Sequence, residues 1–277
     1  MEQFITVQTK SGIVRGVEND GVRIWRGIPY ARPPVGALRF RPAQPVEPWE
    51  GELDARQFSP MCQQTRQAGA MDEDCLTLNI WAPPEDGKKH AVMLFLHGGS
   101  FCDGAGSDPE YEGSKLVREG GVVLVTINYR LGALGFMDFS FLDESFSPNC
   151  GLTDIVQAIK WVHTNIGAFS GDPDNITVFG QSAGATCCSV LPMMPVVRDC
   201  VSKIIMMSGG PTLLHDRDAY QELGKRFLDF VGIDDADELR NIPAARLIAR
   251  QRAFSAHSGL GAGTFALEVD GDIVPGH

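Results

Sequence analysis

The run Gly180-Gln181-Ser182-Ala183-Gly184 sets a serine between two glycines at the spacing of a nucleophile elbow. Alone it is a weak signal, because glycine and serine are both common in turns. Its context strengthens it: the apolar and β-branched Ile176-Thr177-Val178-Phe179 comes before it and a helical pattern, Ala185 to Val190, after it. A chain that turns this sharply from strand to helix strains its serine, and the flanking glycines remove side chains that would collide with both elements. The hydroxyl then stands over a helix N-terminus, whose free N–H groups and dipole favour negative charge developing on an attacked carbonyl. Ser182 is the candidate nucleophile.

A second run, Val92 to Leu96, ends in His97-Gly98-Gly99-Ser100-Phe101, a glycine-rich loop at the carboxyl end of a strand, where open sheets bind ligands. It resembles the second oxyanion-hole element that accompanies such elbows, whose backbone N–H groups meet the N–H after the nucleophile, and that resemblance implies Gly99, Ser100 and Ala183 as oxyanion donors. His97 precedes the serine, against the order serine, acid, histidine that goes with this elbow, and a structural role is expected for it. His90 and His163 read as surface or core-edge residues. After the serine come His215, His257 and His277 with Asp199, Asp216, Asp270 and Asp272, so the order can be met on paper. Asp270-Gly271 reads as a tight turn, His277 as a frayed terminus, and His215 and His257 as members of polar loops. None follows an apolar strand that would aim it at the elbow.

The elements that must hold these residues are legible as short apolar runs: Leu76 to Trp81, Ala91 to Leu96, Val122 to Ile127, Ile176 to Phe179 and Lys203 to Met207. Most look buried on both faces, as in a parallel sheet. Leu152, Ile155, Val156, Ile159, Val162 and Ile166 form a stripe at helical spacing, the crossover helix between two such strands. Ahead of them, Phe4 to Arg26 reads as a small antiparallel meander turning at Asn19-Asp20-Gly21. The proline-rich residues 27–61 are expected to wrap the surface as irregular loop. Beyond Met207 come helical patterns at about Ala219 to Val231 and Ala236 to Arg252, then a strand-like Phe265 to Val269. No interdomain linker is visible, and residues 1–277 read as a single domain.

Composition narrows the function. With 43% hydrophobic residues in 277 the chain is globular, and with 24 Lys and Arg scattered among 35 Asp and Glu, for a net charge of -11, it has no footprint for nucleic acid. No apolar run reaches the ~20 residues of a membrane span, and the opening Met1 to Ile5 lacks a secretory pattern, so a soluble, cytoplasmic protein is expected. Seven cysteines cannot form a closed disulfide framework and show no zinc-type spacing. Cys187 and Cys188 read as buried free thiols.

Taken in order, Gly27-Ile28-Pro29-Tyr30-Ala31, Pro33-Pro34-Val35-Gly36, Glu73-Asp74-Cys75-Leu76-Thr77-Leu78-Asn79-Ile80, His97-Gly98-Gly99, Asn128-Tyr129-Arg130-Leu131-Gly132, Gly151-Leu152-Thr153-Asp154 and Phe169-Ser170-Gly171-Asp172-Pro173 lead to the elbow. This series resembles the type B carboxylesterase and lipase family, which includes para-nitrobenzyl esterases and cholinesterases. The resemblance spans nearly the whole chain. It implies an α/β-hydrolase fold, with a mostly parallel central sheet flanked by helices and a small amino-terminal antiparallel region. It implies hydrolysis of a small-molecule carboxylic ester through an acyl-enzyme on Ser182, with no metal or organic cofactor. The family's acid and histidine lie far beyond the elbow and have no matching positions here. The chain thus resembles the first half of a member, without the carboxy-terminal strands, and a separate carboxy-terminal segment is the partner that would complete the triad. A split or truncated product without activity of its own, and a non-catalytic adhesion member, are the rival readings. Retention of Ser182 and the glycine loop argues against the latter.

Departures are few. The family has Gly or Arg where Ser170 stands, often Glu where Gln181 stands, and Gly or Ala where Ser100 stands; in the last case the backbone N–H is the working group. The family's first disulfide maps to Cys62 and Cys75, and without an export signal two reduced thiols are equally expected. Cholinesterase-like members hold a quaternary ammonium on a tryptophan between those cysteines. Gln63 to Asp74 contains no aromatic residue, so choline esters are poor candidates.

Overall fold

A computed structural model describes residues 3–65 and 69–274. The meander forms as expected: β1 (Gln3–Gln8), β2 (Ile13–Asn19) and β3 (Val22–Pro29) pair antiparallel. At the β2–β3 corner Asp20 and Gly21 both take positive φ, 49° and 69°, the twist a two-residue hairpin turn requires. Residues 27–61 depart from the expected surface loop. β4 (Glu52–Asp54) pairs with β2, and β5 (Met61–Cys62) with β6 (Met71–Asp72). Tyr30 and Phe40 are buried in the core, Phe40 against the rings of Phe139 and Phe146. Proline stops regular pairing there, but the aromatic residues between the prolines still gain from burial.

The main sheet continues through β7 (Thr77–Ala82), β8 (His90–Leu96), β9 (Val123–Ile127), β10 (Gly171–Gln181) and β11 (Lys203–Met207), in the order β1-β2-β3-β7-β9-β8-β10-β11. From β9 onward the neighbours are parallel. The chain passes between parallel strands through α1 (Ser114–Gly120), then through α2 (Gly132–Phe136) and α3 (Cys150–Asn165). The whole predicted stripe of α3, with Ile166 just past its end, is buried. β7 and β9 are buried throughout. β11 is the exception: Ile205, Met206 and Met207 are 45%, 49% and 37% exposed. Its composition is that of an inner strand, but among the described residues it pairs only with β10 and leaves its other edge open.

α4 (Ala183–Val190) follows the elbow and leads, through two 3₁₀ turns, to β11. Beyond β11 come β12 (Leu214–Asp216), α5 (Arg217–Val231), α6 (Ala236–Asn241), α7 (Ala244–Ser258) and β13 (Leu267–Val269), which pairs parallel with β12. The single helical pattern expected over Ala236 to Arg252 is two helices, because Pro243 lacks the N–H that a continuous helix needs. Asp235 caps the first of them, accepting from the N–H groups of Asp237 and Glu238 at 2.9 Å. His215 lies on β12 and His257 on α7, not in loops.

Two clusters of buried titratable side chains pin this layout. Arg130, after β9, donates from Nη2 to Asp154 on α3 at 2.6 Å and from Nε at 2.9 Å, both side chains being buried. Removing the arginine alone would strand a charge in the core, at a cost of about 3–5 kcal/mol. On β13, Glu268 is fully buried, accepts from Arg217 Nε at 3.0 Å, and has the carboxyl of Asp138 as a close neighbour. Burial first, and Asp138 second, push the Glu268 carboxyl up to about 8, against the opposing pull of Arg217.

A raised carboxyl means that the folded state holds a proton the unfolded chain has already released. This contribution is fully present below the unfolded value near 4.5 and is lost as pH rises to about 8. We predict that unfolding midpoints measured between pH 5 and pH 9 decline in the native chain. In Glu268→Gln, whose amide can serve Arg217 and Asp138 at once, the same series should be distinctly flatter. An equal decline in both would assign the pH dependence elsewhere.

Candidate active site

The elbow is built by backbone contact that only glycine permits. Ser182 sits just before α4 with φ 53° and ψ -119°, a conformation that costs on the order of 1–3 kcal/mol for a residue with a side chain. It is held from both sides: its N–H donates to Met207 O at 2.9 Å and its carbonyl accepts from Thr186 N at 3.0 Å. A Cβ on Gly180 would lie 2.4 Å from Gly184 O, and one on Gly184 would lie 2.1 Å from Leu96 O. Both glycines of the motif are therefore forced by close approach. A third close approach escaped the sequence reading: a Cβ on Gly209 would fall 2.5 Å from Ser182 O. The pair Gly209-Gly210 after the β11 run was the signal available for it.

The glycine loop after β8 lies against the serine. A Cβ on Gly98 would be 3.2 Å from Ser182 Cβ, and one on Gly99, at φ 112°, would be 1.9 Å from Asp103 O. Gly99 O accepts from the N–H groups of Cys102 and Asp103, which curls the loop, and Ser100 and Phe101 follow at φ 53° and 59°. Gly98 and Ala183 are buried, whereas Ser182 and Ser100 are half-buried and Gly99 is exposed. Ala183 is the first residue of α4, so its N–H has no partner within the helix. The Ser182 side chain makes no capping bond to α4. A cavity of about 590 Å³ opens over the loop, lined among others by Gly98, Gly99, Gln181, Tyr111, Asp103 and Glu110.

His97 is buried, with its ring stacked on Tyr129 at 4.3 Å and Nδ1 2.8 Å from Gly98 O. The Tyr129 hydroxyl donates to His97 O at 2.6 Å, and burial raises its pKa well above the usual value, so it remains a donor. Of the later histidines, His215 contacts Gly263 O and the Tyr220 ring, and His257 contacts Ala253 O and the Phe230 ring. Asp270 accepts from the N–H groups of Asp272 and Val274 and from Asn149 Nδ2, the side-chain-stabilised turn expected at Asp270-Gly271. His277 lies outside the described residues. Cys62 and Cys75 are buried and unbridged, and burial pushes the Cys188 thiol up to about 12 and the Cys187 thiol well above its ordinary value. Among the described residues no group of three or more His, Cys, Asp or Glu could hold a metal ion, and no helix is long and apolar enough to cross a membrane.

The carboxylesterase family model matches residues 3–277. The chain belongs to the carboxylesterase family. A para-nitrobenzyl esterase of Bacillus subtilis is 42% identical over 252 residues, which cover 87% of this chain and 51% of that protein. A fumonisin B1 esterase of Sphingopyxis macrogoltabida is 41% identical over 86% of this chain and 47% of its own length. Among solved structures, a para-nitrobenzyl esterase superposes with a TM-score of 0.94 at 40% identity, over 98% of this chain and 58% of that one. A Geobacillus stearothermophilus carboxylesterase does so at 0.92 and 40%, over 98% and 57%. The fold is that of the α/β hydrolases, and the chain spans about half the length of the curated relatives it matches.

The loop geometry yields a test. In Gly99→Ala the added methyl meets the Asp103 carbonyl, so the loop that lies against Ser182 must open. With the chain completed as described below, ester turnover should fall at least about a hundredfold, the scale of losing one oxyanion donor. Unchanged turnover in a folded variant would remove this loop from the chemistry.

Proposed function

We propose that this chain is the nucleophile-bearing half of a serine carboxylesterase that hydrolyses small carboxylic esters. The observation that carries the reading is the strained Ser182 at the N-terminus of α4, with the Gly98–Ser100 loop packed against it. Ser182 Oγ attacks the acyl carbon and forms an acyl-enzyme, while the N–H groups of Gly99, Ser100 and Ala183 receive the charge that appears on the carbonyl oxygen. The alcohol leaves with a proton, and water then releases the acid. A histidine takes and returns the proton, and an acidic residue orients it.

That histidine and acid come, in this reading, from a separate carboxy-terminal segment. Two observations support the division. The chain spans about half of its relatives, and of the later candidates within it His215, His257 and Asp270 are engaged elsewhere. The open apolar edge of β11 is where such a segment adds its first strand, burying Ile205 and Met207 beside the elbow.

Without a base a serine hydroxyl is a weak nucleophile, and loss of the histidine costs on the order of a millionfold in subtilisin. The chain alone should therefore hydrolyse a short para-nitrophenyl ester barely above background. Mixed with or fused to its completing segment it should turn over at an ordinary enzyme rate, and a fluorophosphonate should label Ser182 alone. Ser182→Ala serves as the control for contaminating esterases. Ser182-dependent turnover by the isolated chain at full rate would place the base and acid within these residues. Labelling at another serine would overturn the nucleophile.

A further inference from the structure

We propose that Gln251 on α7 is a positioning residue for the oxyanion loop, a role that rests on the ester-hydrolase reading. The inward face of α7 runs Ala244, Leu247, Ile248, Gln251, Phe254, a regular helical stripe in which one member is polar. Gln251 is fully buried, and an amide is costly to bury unless it is bonded. Its Oε1 accepts from the N–H of Ala133 at 2.9 Å, across 118 residues of sequence. Ala133 is the second residue of α2, where a helix leaves its N–H groups without internal partners. The residue before α2 is Leu131, which has no side-chain acceptor to offer, so Gln251 caps α2 from another helix.

The cap connects onward to the site. Gly132 sits at φ 55° between Leu131 and Ala133, and a Cβ there would lie 2.3 Å from Gln251 Oε1, so the amide fits against bare backbone. The Gly132 N–H donates to Phe101 O at 2.6 Å. The Phe101 ring is buried with its centroid 4.7 Å from that of Phe136 at the far end of α2. Phe101 is thus tied to α2 by its carbonyl and by its ring, and Ser100 is its immediate neighbour. Ser100 and Phe101 are consecutive residues at positive φ, a pair that persists only where its surroundings leave no alternative. Withdrawing the Gln251 acceptor frees the first turn of α2, then the Gly132 N–H, then the Phe101 carbonyl, and so lets the Ser100 N–H swing from its place.

Gln251→Met keeps the length and removes the acceptor. Gln251→Glu keeps the acceptor and exchanges the NH2, which has no partner among the described residues, for an oxygen that burial keeps protonated. In the completed enzyme, Gln251→Met should lower both kcat for a para-nitrophenyl ester and the fluorophosphonate labelling rate of Ser182 about tenfold, with KM moving less than about twofold. Gln251→Glu should recover the rates to within about threefold of the parent, by the same reasoning. Hydrogen exchange in the isolated chain reads the tether independently of activity: Gln251→Met should speed exchange in residues 97–104 as well as 130–136. If Gln251→Met is insoluble, Gln251→Asn, one methylene shorter, withdraws the acceptor and is read the same way. Unchanged exchange in residues 97–104, or equal losses in the Met and Glu variants, overturns the proposal. A parent enzyme that fails to label at Ser182 defeats the ester-hydrolase reading instead, and the exchange result then stands by itself.

Discussion

At the carboxyl ends of β8, β10 and β11 three backbones meet with no side chain between them. The Leu96 carbonyl occupies the space of a Gly184 Cβ, the Gly184 carbonyl that of a Gly180 Cβ, and the Ser182 carbonyl that of a Gly209 Cβ. Replacing any of these hydrogens with a methyl group puts carbon within 2.5 Å of a carbonyl oxygen, and backbone at the centre of a paired sheet has nowhere to go. The strain at Ser182 is tolerated because of this contact. Its φ and ψ are fixed by the bond to Met207 O on one side and from Thr186 N on the other, so relaxing the serine would require breaking both.

The rest of the molecule can be followed outward from that junction. The parallel order β9-β8-β10-β11 brings the glycine loop after β8 beside the elbow after β10, because parallel strands end on the same side. The loop after β9 then serves as a buttress. Tyr129 holds the His97 carbonyl, Gly132 holds the Phe101 carbonyl, and Arg130 between them is fixed to Asp154 on α3. The bonds from Tyr129 and Gly132 each fix a carbonyl of the His97–Phe101 run, the loop whose Gly98 lies against Ser182.

How much of this was legible follows from how local each determinant is. The elbow, the β8 loop and the stripe of α3 were readable because strand and helix periods and turn glycines are properties of neighbouring residues. The break at Pro243 is equally local, but the apolar spacing continues across it and masks it. Tyr30 and Phe40 were placed at the surface on the strength of nearby prolines, although proline forbids pairing and not burial. The tethers were not legible at all: Tyr129 to His97 spans 32 residues and Gln251 to Ala133 spans 118, distances over which sequence spacing carries no geometric information. A lone glutamine on an otherwise apolar helix face was the one trace of the second.

β11 misled for a different reason. Lys203 to Met207 has the composition of a strand covered on both sides, and composition reports the environment for which a strand is suited, not its neighbours in a given chain. Full burial of an apolar side chain is worth about 1.5–3 kcal/mol, so three such residues left at an open edge make it an adhesive surface. That edge is coupled to the proposed nucleophile. The last residue of β11, Met207, is the one whose carbonyl accepts the Ser182 N–H, so any strand that pairs with β11 and fixes its position also fixes the serine. The open edge of the sheet and the strained backbone of Ser182 meet at one hydrogen bond.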